Sequence, residues 1–225
     1  MNEIFKKAAL LGDVWVLWLL LAASILSVAV MFDRWRLFRQ NRIDFAGFFS
    51  GLRELLEQGK TDNALAYCTQ FAAMENRIAA EGLRNFTKGA HSVEEAMKSA
   101  LVIERGNFEK NLIVLSTMGN NAPFIGLLGT VLGVIKAFND LGAAGSAGVS
   151  VVMTGISAAL IATAFGILLA IPAVIANNYF QTRLKRATAN TQSLIHLMQV
   201  YLRAQPQGDF VSSAIRNTEA NLAPR

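Results

Sequence analysis

Thr130 and Thr163 stand inside two long runs that hold almost no ionisable side chain, Leu112–Phe138 and Val149–Ala176. Counted as helix at 1.5 Å per residue, Thr130 is roughly 12 Å from Phe138 and Thr163 roughly 18 Å from Val151. Both therefore fall near the middle of a hydrocarbon layer about 30 Å thick. A hydroxyl carries one proton and two lone pairs, so it can pass or orient a proton through water, but it does not titrate near neutral pH. Either threonine alone is expected to bond back to a carbonyl of its own helix. Two at matched depth, each beside a stripe of small residues, admit a second reading, a shared polar lining. Pro123 and Pro172 lie close by and predict helix kinks. Each leaves the carbonyl four residues earlier, Gly119 and Leu168, without its helical donor, which is tolerated where protein or water satisfies it.

The acidic residues are absent where such a lining would need them. No Asp or Glu occurs in 14–32, 110–139 or 141–208, so none of these runs has an interior group able to bind and release a proton. Other chemistry has little support. His91 and His196 are too far apart and too poorly accompanied for a metal site, and the lone Cys68 excludes a disulfide within one chain. No zinc spacing, P-loop or nucleophile elbow is present. The sequence thus predicts neither metal nor cofactor, and no enzyme.

The elements that must position the threonines are helices in a membrane. With 53% hydrophobic and 16% charged positions among 225 residues, the chain is too apolar for an ordinary soluble domain. The basic excess, 21 Lys and Arg against 16 Asp and Glu, flanks the apolar runs instead of forming a nucleic-acid patch, so no nucleic-acid partner is expected. The fold class is an all-α integral membrane protein, with three transmembrane helices and long second and third helices extending into a helical cytoplasmic domain.

The segments read as follows. Residues 1–12 form a short amphipathic segment on the outer interface, 13–33 the first transmembrane helix, and 34–110 a cytoplasmic helical domain. Residues 111–138 form the second transmembrane helix, 139–148 a periplasmic loop, and 149–177 the third. A cytoplasmic C-terminal helix follows over 178–204 and a flexible tail over 205–225. The first run is a retained anchor and not a signal peptide, because Asp33, Arg34, Trp35 and Arg36 follow it where a small-residue cleavage site would stand. Basic residues after spans one and three, with Lys110 before span two, orient the N-terminus outward and the C-terminus to the cytoplasm. Within 34–110, Thr61 or Asp62 is an expected helix cap and Ser92 with Glu95 an expected capping box. From there one unbroken helix is expected to run into span two.

Small residues follow one face of each later span: Gly119, Ala122, Gly126, Gly129, Gly133 and Ala137 in the second, Gly155, Ala159, Ala162, Gly166, Ala170 and Ala173 in the third. In lipid, where the hydrophobic effect does not join helices, such stripes are a principal means of close association. The expected packing residues are Gly126, Gly129, Gly133, Ala159, Ala162 and Gly166. Packing alone accounts for the glycines. Span one carries bulky Trp15, Leu17, Trp18, Leu19, Leu20 and Leu21 instead, suited to lipid.

Two stretches, Ala122-Pro123-Phe124-Ile125-Gly126-Leu127-Leu128-Gly129-Thr130-Val131-Leu132-Gly133 and Ala159-Leu160-Ile161-Ala162-Thr163-Ala164-Phe165-Gly166 with the following Ala170-Ile171-Pro172-Ala173-Val174, resemble the signature segments of the ExbB/TolQ branch of the MotA/TolQ/ExbB proton-channel (stator) family. The four-span MotA branch fits less well. The resemblance implies a homopentamer in the bacterial inner membrane, lined by spans two and three, with Thr130 and Thr163 facing an ion path. It also implies a single-span partner like ExbD or TolR carrying a membrane Asp, besides membrane lipids. Proton motive force would then drive work at the envelope: TonB-type transport, Tol-Pal function or gliding motility. Relatives usually carry a glutamate five residues before the third-span threonine; here that position is Ala158. Lys136 is a second departure, expected near the outer interface and able to pair with Asp140. The alternative class is a non-conducting oligomeric membrane scaffold, which needs only the packing stripes.

Overall fold

The computed structural model describes residues 14–144 and 149–204. The expected interfacial segment (1–12), the last part of the expected loop (145–148) and the tail (205–225) lie outside the described residues. Every regular element among the described residues is helical: α1 (Val14–Gln40), α2 (Phe45–Glu57), α3 (Thr61–Thr69), α4 (Met74–Arg84), a 3-10 turn (Phe86–Lys88), α5 (Ala90–Glu109), α6 (Leu112–Ala144) and α7 (Val149–Ala204). Three of these, α1, α6 and α7, are long and apolar enough to cross a membrane. The protein is an all-α membrane protein with three spans.

The chain divides into two compact units, one of Met1–Arg36 with Glu109–Thr182 and one of Leu37–Phe108 with Arg183–Arg225. In the first, Val16 and Leu20 of α1 are buried with Ala122 and Leu132 of α6 and Leu169 and Ala170 of α7. Trp15, Trp18, Leu19 and Leu21 point outward, as a lipid-facing helix requires. In the second unit the core is apolar and helical throughout. Phe48, Leu52 and Leu56, spaced by four, form the inner stripe of α2 and pack with Cys68, Ile78, Met97 and Met198.

Local signals set the helix ends differently from the side-chain caps expected. Gly59, at φ +69°, turns the chain after α2 and closes it through Gly59 N–H to Leu56 O at 2.9 Å and Lys60 N–H to Leu55 O at 3.1 Å. That turn delivers Lys60 to the N-cap of α3, with no side-chain cap bond. Thr61 is the first helical residue, so neither it nor Asp62 caps the helix. Gly89, at φ +90°, does the same for α5: its carbonyl accepts from Val93 N–H at 3.1 Å, the helix starts at Ala90, and Ser92 is already inside the first turn. No Ser92/Glu95 capping box is formed at that end.

Two boundaries differ from expectation. The unbroken helix from 90 into the second span is interrupted at Lys110–Asn111, while Gly106 stays helical. The Asn111 carboxamide donates to Asp33 Oδ2 at 3.2 Å, a tertiary bond that draws Asn111 out of helical register. At its other end α6 runs on through Leu141 to Ala144, because Leu and Ala favour helix more strongly than the lone Gly142 disfavours it. Residues 139–144 are therefore helix and not loop. α7 is continuous from the third span to Ala204, with Pro172 inside it.

Candidate functional site

The site lies where α6 and α7 meet through their small residues. A methyl group on Gly126 would come within 2.7 Å of the Ala162 carbonyl and 3.0 Å of Thr163 Cα. One on Gly166 would come within 2.6 Å of the Ala122 carbonyl. Backbone thus touches backbone, the contact that side chains larger than hydrogen prevent. Ala122 and Ala162, which meet these glycines, are buried, as are Ala159 and Ala173 of the same stripe.

That closeness brings the two threonines together. Thr130 Oγ1 and Thr163 Oγ1 are hydrogen-bonded to each other across the helices. Thr163 Oγ1 also donates toward the Gly126 carbonyl at 3.1 Å, and Thr130 Oγ1 reaches the Ala159 carbonyl at 3.2 Å and Gly126 O at 3.4 Å. Two hydroxyl protons are therefore shared among more acceptors than they can serve at once, so the bonds can be redistributed without moving a heavy atom. Neither side chain is sealed; both are half-buried.

The remaining expected residues surround this rung. Gly129 packs against Ala162 Cβ and Val16 Cγ1, at 2.8 and 3.1 Å from an added Cβ, which ties α1 to the pair. Gly133 is buried and lines a cleft of about 380 Å³ with Lys136, Asp140, Thr154 and Ala158. Lys136 and Asp140 share that cleft, but among the described residues no ion pair joins them. Pro123 and Pro172 lie inside α6 and α7, neither of which is broken there.

The matched region spans this whole arrangement. Residues 70–193 match the MotA/TolQ/ExbB proton channel family, covering α6 and α7 as far as 193. The chain belongs to that family.

Among its relatives is the biopolymer transport protein ExbB of Xanthomonas campestris pv. campestris, 43% identical over 88 residues, or 39% of this chain and 35% of that protein. The Tol-Pal system protein TolQ of Pseudomonas aeruginosa is 44% identical over 91 residues, 40% of this chain and 39% of the relative. The chain thus spans less than half the length of these relatives. TolQ of Haemophilus influenzae aligns over 220 residues at 30% identity, covering 92% of this chain and 95% of the other.

Within this MotA/TolQ/ExbB member, two polar features escaped sequence reasoning. The Ala159 carbonyl is a hydrogen-bond acceptor for Thr130, a backbone role that no side-chain pattern signals. Arg34, only 8% exposed, donates to Asp33 at 2.7 and 3.0 Å, and Asp33 in turn holds Asn111. The paired charges after an apolar run read as a topology signal, whereas the fold also uses them to fasten α1 to the start of α6.

Proposed function

We propose that this protein is the channel-forming, stator-type subunit of an inner-membrane complex that uses proton motive force to do work at the cell envelope. The relatives named for biopolymer transport and for the Tol-Pal system support that class of machine. Which machine it drives, TonB-type, Tol-Pal or gliding, is a question of its partner. The chain assembles as a homopentamer with the N-terminus periplasmic and the C-terminus cytoplasmic. Residues 34–110 and 178–204 are cytoplasmic in this arrangement, and α6 and α7 line the pore.

The observation that carries the reading is the half-buried Thr130–Thr163 rung inside α6 and α7, whose apolar runs 112–138 and 149–176 contain no carboxylate. Hydroxyls with redistributable protons orient water and protons but store none. A titrating group must then come from outside the chain, and a single-span ExbD/TolR-like partner with a membrane Asp supplies it. Inserting such an acid costs about 2.5–3.5 kcal/mol on insertion scales, which hydrogen bonds from the two threonines offset. Ala158, where relatives usually carry an acid, deepens the dependence on the partner.

The test is proton flux in liposomes. The purified chain alone is expected to conduct little, and co-reconstitution with the partner to produce a flux that is lost when the partner's membrane Asp becomes Asn. Thr130→Val with Thr163→Val should lower that flux with assembly intact, and the corresponding Ser variants should be milder. Robust flux through the chain alone refutes the proposal. Wild-type flux from the double Val variant reduces both threonines to helix packing and favours the scaffold reading.

A further inference from the structure

The second unit contains a cleft of about 320 Å³ walled by Arg42, Arg183, Arg186, Asn41, Asn190 and Glu75. Arg183, Arg186 and Asn190 recur at spacings of three and four, so one face of α7 presents them together. Arg42 reaches the same cleft from the turn after α1, about 140 residues away in sequence.

The neutral polar groups of this cleft are already committed. Asn41 donates to Leu37 O at 2.8 Å and accepts from Arg77 Nη1 at 3.2 Å. Asn190 donates to Glu75 Oε1 at 3.0 Å, which fixes the buried carboxylate at one side. Arg42 and Arg186 are exposed and form no ion pair among the described residues. Guanidinium groups cannot relieve their mutual repulsion by losing a proton. Arg42 and Arg186 beside one small cleft, whose carboxylate, Glu75, is held by Asn190, leave an excess positive charge that an anion compensates. Their planar forks match the oxygens of a phosphate. Phe38 and Phe108, edge-to-face with ring centroids 5.2 Å apart, line the same cleft and suit the carbon skeleton of a phosphate ester.

We propose that this cleft binds a phosphate-bearing anion, with Arg42 and Arg186 as the principal contacts. The ligand's source is either a lipid headgroup or a soluble phosphate. The site is independent of ion conduction, and its test needs no partner or proton gradient.

Native mass spectrometry of the full chain in a neutral detergent, with phosphatidylglycerol, phosphatidylcholine or inorganic phosphate added, separates the cases. One phosphatidylglycerol per chain is expected, with at least about a tenfold preference over phosphatidylcholine, as for a charge-assisted site. R42Q/R186Q should weaken that binding about tenfold, and K185Q, which removes a neighbouring charge outside the cleft, less than about twofold. Saturable binding of inorganic phosphate without retention of the lipid, following the same variant pattern, supports the site with a soluble ligand. If R42Q/R186Q does not fold, R42K/R186K keeps the charges and should still show a loss, because lysine lacks the fork. The proposal is overturned if neither anion binds saturably, if K185Q weakens binding as much as the cleft variants, or if R42K/R186K binds like wild type.

Discussion

Replacing Gly126 with Ala tests the α6–α7 contact directly. The new methyl would stand 2.7 Å from the Ala162 carbonyl and 3.0 Å from Thr163 Cα, and both obstacles are backbone that no rotamer change removes. Restoring an ordinary separation of 3.4 Å requires the helices to part by about 0.7 Å, an overpacking of the kind that costs about 1–3 kcal/mol. The same displacement lengthens the Thr163 bond to Gly126 O from 3.1 Å to about 3.8 Å, beyond hydrogen-bond range, for about 1 kcal/mol more. The expected loss is therefore roughly 2–4 kcal/mol. Unfolding in mixed micelles with increasing SDS, followed by tryptophan fluorescence and circular dichroism, measures it. Gly142→Ala is the control: nothing lies within 4 Å of the added methyl, and helix propensity alone should make it neutral or stabilising by up to about 1 kcal/mol. Equal stability of Gly126→Ala and wild type would refute backbone contact at this point.

Cys68 is 1% exposed and burial pushes its thiol up to about 12, so at pH 8 its reactive thiolate is only about one part in ten thousand. Native protein should resist maleimide until denatured; rapid native labelling would contradict the packing of α3. Because the folded thiol ionises only at higher pH than the unfolded one, its contribution to stability is complete at neutral pH and declines in alkali. The exposed Lys60 serves topology better: Lys60→Cys in a Cys68→Ala background should be labelled by an impermeant reagent in inverted vesicles and not in spheroplasts. Asp140→Ala should leave the mass of the proposed oligomer, by light scattering, unchanged, because no ion pair joins Asp140 to Lys136; disassembly would show a buried role. Arg77 bridges Glu104 at 2.8 and 2.6 Å and also reaches Asn41, so Arg77→Gln should destabilise by about 1 kcal/mol, discounted for its partial exposure, in the same SDS titration.

The three spans and the small-residue stripes were readable because lipid imposes a length and close packing imposes a spacing. Gly126, Ala162 and Gly166 signal their contact by the absence of a side chain. The matched depth of Thr130 and Thr163 follows from helical rise, but their shared bond depends on how the helices turn toward each other. Failures cluster where one residue's effect depends on a distant partner or on backbone rotation. Asn111 interrupts a helix through Asp33, 78 residues earlier. Gly59 and Gly89 start helices by positive φ, so the side-chain cap patterns at Thr61 and Ser92 stand beside the real turn and not in it. The meeting of Arg42 with Arg186 has no local periodicity to betray it.

The hydroxyl rung between Thr130 and Thr163 also acts as a register pin. Small residues recurring every three or four positions make a seam that would mesh again after one helix slides a full turn, about 5.4 Å, along the other. Packing alone therefore specifies the spacing of α6 and α7 but not their alignment. The polar rung distinguishes these alignments, much as one buried polar residue does in a coiled coil, since a full-turn slide breaks the Thr130–Thr163 bond and the one from Thr130 to Ala159 O. The rung thus opposes sliding of α6 along α7. In the proposed motor, sliding against neighbours would fall on the outer face of α6, where Phe124, Leu128, Val131 and Ile135 are exposed and where one apolar neighbour exchanges for another at little cost.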